Sequence, residues 1–242
     1  MSSHQQDILR NIDSYLIGID DIFAFKCRSC GKCCKNRDDI LLNPRDVFNI
    51  ATALKITQEQ VVEEYCETYI GKDSRMPVVR LRPKGKNKVC PLLEGGRCIV
   101  HSLKPTVCAL FPIGRIVASE HAPEEIGLGN PNEIKYIKNN ADCGSRKRKQ
   151  TVRAWLEAFN IPIDDVFFIQ WNKTIFQLMD IVKMYEGKSG VTDKAMEMLW
   201  YAIFQSLYID YDISKDFFTQ FKANANKILA LFAKLEQYKG GD

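Results

Sequence analysis

The sequence predicts an α+β fold, mostly helical, in which an irregular cysteine-rich domain with short strands is closed by a helical carboxy-terminal half. Three observations predict it. Cys27, Cys30, Cys33 and Cys34 fall within eight residues, and Cys90, Cys98, Cys108 and Cys143 follow in segments punctuated by Gly, Pro and charge. Between Pro77 and Ala118, short runs rich in Val and Ile are bounded by turn residues, the pattern of short strands. Beyond Arg146 there are no cysteines and apolar residues recur at helical spacing. The expected division is a cysteine-cluster, metal-binding domain over 1–145 and a helical region over 146–242 packed on it.

In chain order, Gln6 to Leu16 reads as a short amphipathic helix, after which Phe23, Phe25 and the first cysteines enter a loop. Asn43 as N-cap and Pro44 at the first helical position start a helix through Leu54. Thr57 and Gln60 make a capping box for a second helix through Tyr69, on which Cys66 is expected to be a small buried side chain. Val78 to Leu81 and Lys88-Val89 are strand candidates, and Glu94-Gly95-Gly96-Arg97 is a turn flanked by Cys90 and Cys98. Pro105 opens a helical turn carrying Cys108, Pro112 ends it, and Ile113 to Ala118 reads as a strand. Arg146 to Lys149 is a basic run expected to be the solvated first stretch of a helix or a linker, without the aromatic interleaving of a nucleic-acid surface. Three helices complete the chain, Asp164 to Tyr185, Asp193 to Tyr208 and Ser214 to Tyr238, with Phe168, Trp171, Ile175, Leu178, Met179 and Val182 as a core stripe.

Composition narrows the function classes. At 242 residues the chain can bury a full core without metal or disulfides. Its 45% apolar and 26% charged content is that of a globular protein, and a formal charge of +4 is too small to imply a polyanion partner. Eight metal-bound thiolates would subtract eight charges and two divalent ions would return four, giving about zero. The amino terminus lacks the plan of a secretory signal, and no apolar run reaches the roughly 18 residues of a membrane span. A cytoplasmic protein with no membrane and no nucleic-acid partner is expected. In a reducing compartment nine cysteines, an odd number, read as metal ligands or redox groups rather than disulfides.

The Cys27-x-x-Cys30-x-x-Cys33-Cys34 cluster, the Leu41-Leu42-Asn43-Pro44-Arg45-Asp46 helix entry, Cys90-Pro91-Leu92-Leu93, Cys98-Ile99-Val100-His101, Lys104-Pro105, Cys108 and Phe111-Pro112 together resemble the YkgJ-like CxxCxxCC cysteine-cluster family. That family is described as zinc- or iron-chelating, so the resemblance implies a metal-binding domain over roughly residues 24 to 145. Two positions depart from its pattern. His101 stands where the family has an acidic residue, leaving room for an extra ligand, and Lys104-Pro105 stands for Arg-Pro, which weakens any bidentate carboxylate contact.

The candidate ligands are Cys27, Cys30, Cys33, Cys34, Cys90, Cys98, Cys108 and Cys143. Four thiolates suit tetrahedral zinc, and four also suit an iron–sulfur cluster. The steps from Cys27 to Cys33 reproduce the first three ligands of the bacterial ferredoxin run, and Cys90-Pro91 supplies a remote cysteine before proline. Adjacent Cys33 and Cys34 are strained on one zinc but reach different metal atoms easily. A [4Fe-4S] cluster is therefore the first reading of the cofactor, with Zn2+ as the alternative. His101 reads as exposed or capping before it reads as a ligand.

Two functions follow from this site. The cysteines hold a redox centre serving an unidentified protein or redox partner; resemblance to the flagellin lysine N-methylases, which carry a related cluster, extends this to methyl transfer. Alternatively they hold structural zinc in a protein-interaction module. No GxGxxG loop opens a helix after a strand, Gly187-Lys-Ser-Gly reads as a helix-ending turn, and no Ser/His/Asp set is identifiable among residues that include only His4, His101 and His121. Whether the protein is an enzyme is left open.

Overall fold

The computed structural model describes residues 11–117 and 133–237. Residues 6–10 of the first predicted helix lie outside that range, as do His4 and His121; within it, α1 covers only Ile12–Tyr15, and Leu16, expected in the helix, opens β1 (Leu16–Ile17). β2 (Ile22–Lys26) alternates buried Phe23 and Phe25 with more open neighbours and delivers the chain to Cys27. A single 3-10 turn, Lys32–Cys34, and β3 (Leu41–Leu42) follow.

α2 (Pro44–Leu54) starts as expected, since Asn43 Oδ1 accepts from Asp46 N at 3.0 Å and Asp46 Oδ2 accepts from Asn43 N at 3.2 Å. α3 (Gln58–Tyr65) has the predicted Thr57/Gln60 capping box but ends earlier than expected. Cys66 instead opens β4 (Cys66–Ile70), which pairs antiparallel with β5 (Pro77–Leu81), Cys66 opposite Leu81. The aromatic and β-branched residues Thr68, Tyr69 and Ile70 take up the strand once a partner is present, a tertiary preference that helical spacing does not register. Cys66 is fully buried in either setting.

β3, β5 and β4 form one antiparallel sheet. The next elements are the two-residue strands β6 (Leu93–Glu94) and β7 (Arg97–Cys98), helix α4 (Thr106–Leu110), β8 (Ile113–Val117) and β9 (Ile134–Lys138). β9 lies between β1 and β8 in a second antiparallel sheet. Lys88-Val89 is reduced to a single bridge between Lys84 and Val89.

The basic run corrects a prediction. Ser145–Thr151 is strand β10, paired antiparallel with β2, and Arg146, Lys147, Arg148 and Lys149 are all exposed on it. The register passes from Ser145 opposite Lys26 to Lys149 opposite Ala24, a bulge that leaves part of the run outside the ladder. The open edge of β2 decides this conformation, not the charges. Helix begins only at α5 (Val152–Glu157). Three long helices follow near their predicted positions: α6 (Val166–Glu186), α7 (Asp193–Phe204), extended by a π-helical turn at Gln205–Ile209, and α8 (Phe217–Gln237).

Buried side chains form two cores. The larger joins α2 and the β3-β5-β4 sheet to the long helices through Val47, Ile50, Val79, Leu178, Ile203, Leu207 and Phe221. The smaller gathers Phe23, Phe25, Leu110, Ile113, Tyr136, Trp155 and Leu156, with edge-to-face contacts from Trp155 to both phenylalanines. Among the described residues no helix is long and apolar enough to cross a membrane.

Candidate metal centre

All eight candidate cysteines line one cavity of about 1210 Å³, whose walls draw on both cores, with Phe25, Leu110 and Trp155 from the smaller and Leu42, Leu81 and Leu92 from the larger. Residues as far apart in sequence as Cys27 and Cys143 thus face a common space.

Local geometry explains how each arrives. β2 ends at Lys26, and positive φ at Ser29 and Gly31 curls the following loop so that Ser29 N–H donates to Cys27 Sγ at 3.4 Å and Cys34 N–H to the Gly31 carbonyl at 3.0 Å. The Cys33 and Cys34 sulfurs lie 3.9 Å apart. Cys90 N–H donates to the Cys34 carbonyl at 2.8 Å, tying the second cysteine segment to the first. Gly95 and Gly96, both at positive φ, close the β6–β7 hairpin that sets Cys98 opposite Leu93. Cys108 rides on α4, whose first residue is pinned to α2: Thr106 N–H and Oγ1 both donate to Asp46 Oδ1, at 2.8 and 2.7 Å.

Cys143 is placed by its neighbour. Gly144 has φ +74°, and a Cβ there would stand 2.5 Å from Phe25 Cε2 and 2.8 Å from the Lys26 carbonyl oxygen. Only glycine allows the chain to press against the end of β2 and bring Cys143 beside the first cluster.

The thiols also perturb one another electrostatically. The Cys33 thiol is lowered to about 6, chiefly by its contact with Cys34, whose own thiol is pushed far up by the same contact and by burial. Burial raises Cys90, Cys98 and Cys108, and pushes Cys143 up to about 11. The charge of Cys33 adds to the rise at Cys34, Cys90, Cys98, Cys108 and Cys143 alike. Cys30 is lowered by the N–H groups of Lys32 and Gly144. Crowded thiolates repel one another, and a cation among them reverses that sign.

The donor set suits a soft metal: nine free cysteines are present and the eight on the cavity form no disulfide. Among the described residues no group of three or more His, Cys, Asp or Glu is drawn tightly enough to form a coordination shell as placed. The sulfurs therefore share a cavity without converging on one point. His101 is exposed and borders the same cavity; Cys66 does not.

Sequence reasoning passed over Asp165, Arg115 and Gly144, and took Asp46 only as part of the helix entry. Asp46 is a cap and also the anchor of the Cys108 helix. Asp165, the N-cap of α6, accepts from Arg45 Nη1 at 3.0 Å, Arg45 Nη2 at 2.5 Å and Arg115 Nη1 at 2.7 Å, joining α2, β8 and α6. Gly144, directly after a cysteine, carried a legible signal; Asp165 and Arg115 carried none, because their pairing spans 50 residues.

Cysteines from four separate segments of the chain line this cavity. Residues 26–144 match the sequence profile of the CxxCxxCC family, described as a "putative zinc- or iron-chelating domain". Metal binding is the function this match supports. No curated protein and no solved structure matches the chain.

Proposed function

We propose that Cys27, Cys30, Cys33, Cys34, Cys90, Cys98, Cys108 and Cys143 hold an iron–sulfur cluster and that the protein serves in redox chemistry. The observation that carries this reading is the presence of eight unpaired thiols on a single cavity wall. Polynuclear sites accept sulfurs spread over several metal atoms, which suits thiols that line a wall better than one closed tetrahedral shell does. When bound, such a cluster supplies one-electron transfer. The chain's own residues supply the rest: backbone N–H groups of Lys32 and Gly144 favour the charged form of Cys30, Ser29 N–H donates to Cys27 Sγ, and Lys104 and Arg37 offset thiolate charge at Cys33. Helices α5 and α6 contribute Trp155, Phe168 and Trp171 to the cavity's lining.

The test is anaerobic purification with metal and acid-labile sulfide analysis and a visible spectrum before and after dithionite. Iron and sulfide in comparable amounts, with a broad absorption that bleaches on reduction, is the expected result. Zinc without sulfide would overturn it and leave a structural zinc module, in which each ion contributes about 10 kcal/mol of folding energy, as the function.

A further inference from the structure

The cavity meets solvent at its first cysteines. Cys27, Cys30 and Cys33 line it and are exposed, so the loop that carries them is where another molecule reaches a metal held there. That loop is cationic: Lys26, Arg28, Lys32 and Lys35 are interleaved with the cysteines and exposed, and residues 22–37 contain no Asp or Glu. The basic run of β10 starts beside it. Ser145 pairs with Lys26, Cys30 takes a backbone N–H from Gly144, and a Cβ at Gly144 would stand 2.8 Å from the Lys26 carbonyl oxygen. Arg146 to Lys149 follow, all exposed, and residues 143–152 also contain no Asp or Glu.

None of these eight cations has an ion pair among the described residues, whereas Arg37, Arg45, Arg75 and Arg80 all do. Nor are they the cations that act most on the cavity thiols, which are Lys104, Arg37 and Lys84. Eight positive charges exceed the net +4 of the whole chain, so the rest of the molecule is net acidic and positive charge is concentrated on these two adjoining segments. A lysine or two protects an edge strand from stray pairing; a concentration of this size is a field that draws in an oppositely charged surface.

We propose that the 26–35 loop and the β10 run together form the docking surface for an acidic protein, which covers the exposed cysteines when it binds. This rests on the redox reading for the partner's task, since a protein that exchanges an electron with the centre must approach its exposed ligands; the charge of the partner's surface follows from the cations alone. A nucleic-acid strand fits less well: Phe23 and Phe25, the only aromatic residues of the two segments, are buried, so no ring is offered to a base. Redox complexes are small and steered by charge, and an affinity that falls as salt rises is their signature.

Fluorescence anisotropy with the full chain as isolated, metal and sulfide being determined on each sample, compares a labelled oligoglutamate with an oligoglutamine of the same length. At low salt the oligoglutamate is expected to bind about tenfold more tightly or better, a preference that shrinks steeply by about 200 mM salt. Lys147→Glu combined with Lys149→Glu should weaken it about tenfold, with metal content and circular dichroism as in the parent. Lys183→Glu combined with Lys194→Glu makes the same charge change at exposed positions of α6 and α7 and should cost less than about twofold. Equal binding of the two peptides, no loss in the β10 double variant, or equal losses in both double variants would each overturn the proposal. Tighter binding of an oligothymidylate of matched charge, or of phosphatidylserine vesicles at matched anion concentration, would overturn the assignment to a protein. If the β10 double variant fails to fold, the two-peptide ratio and Lys26→Glu, which should weaken oligoglutamate by itself, decide. Zinc without sulfide in a chain that still binds oligoglutamate would overturn the redox reading alone; iron and sulfide without oligoglutamate binding would overturn the docking surface alone.

Discussion

Replacing Asp165 by Asn isolates the contact that joins the cysteine region to the long helices. The carboxylate is 2% exposed and takes three hydrogen bonds from Arg45 and Arg115, plus one from Phe168 N–H at 3.2 Å that caps α6. Asparagine caps a helix as well as aspartate does, so the Phe168 bond survives. What is lost is the charge between two guanidinium groups, one 3% and the other 21% exposed. Breaking a buried pair from one side costs about 3–5 kcal/mol, and because water reaches Arg45 in part, the lower end, about 3 kcal/mol, is expected. Urea unfolding of parent and variant at neutral pH, followed by circular dichroism, measures it. Asp20→Asn is the control: Asp20 and Arg153 form an exposed pair, and its removal should leave the midpoint unchanged. A loss below about 1 kcal/mol for Asp165→Asn, the size of a surface pair, would refute the reasoning.

The same carboxyl sets a pH dependence. Burial alone would raise Asp165, but Arg45 and Arg115 outweigh it and hold the group below the usual carboxylate range, so its contribution is complete above about pH 4 and disappears as pH falls through the folded value; acid should therefore destabilise the parent more than Asp165→Asn, and parallel urea midpoints across pH 2–7 would contradict this. Cys30→Ser should abolish metal loading and loosen the segment up to Cys143, whereas metal content and circular dichroism equal to the parent's would remove Cys30 from the ligand set. Gly144→Ala forces a Cβ to within 2.5 Å of Phe25 at a left-handed φ, so a loss of about 2 kcal/mol or more is expected in urea unfolding, with reduced metal uptake. Cys66→Ala removes a buried sulfur away from the cavity, and a cost of about 1–2 kcal/mol with unchanged metal content is expected by the same assays.

Much of the fold was legible wherever the deciding interaction is local. The Asn43-Pro44 and Thr57/Gln60 helix starts, the Gly95-Gly96 turn, the helical turn after Pro105 and the three long helices all follow from contacts within a few residues, and each occurs near its predicted place. Strands β1 to β4, β9 and β10 were not legible; Phe23 and Phe25, expected in a loop, lie on β2. Their partners lie elsewhere in the chain, and a ladder overrides the weak preferences of a run such as Arg146 to Lys149.

By itself the sequence determined the donor chemistry: which thiols exist, at what spacing, and that an α+β chain of ordinary composition carries them. Tertiary structure alone decided that Cys90, Cys98, Cys108 and Cys143 share a cavity with the 27-to-34 loop, and that Arg115 pairs with Asp165. Spacing records what neighbours along the chain can do together. Meetings between distant segments depend on buried area and backbone pairing summed over the whole molecule, which no short stretch of residues encodes.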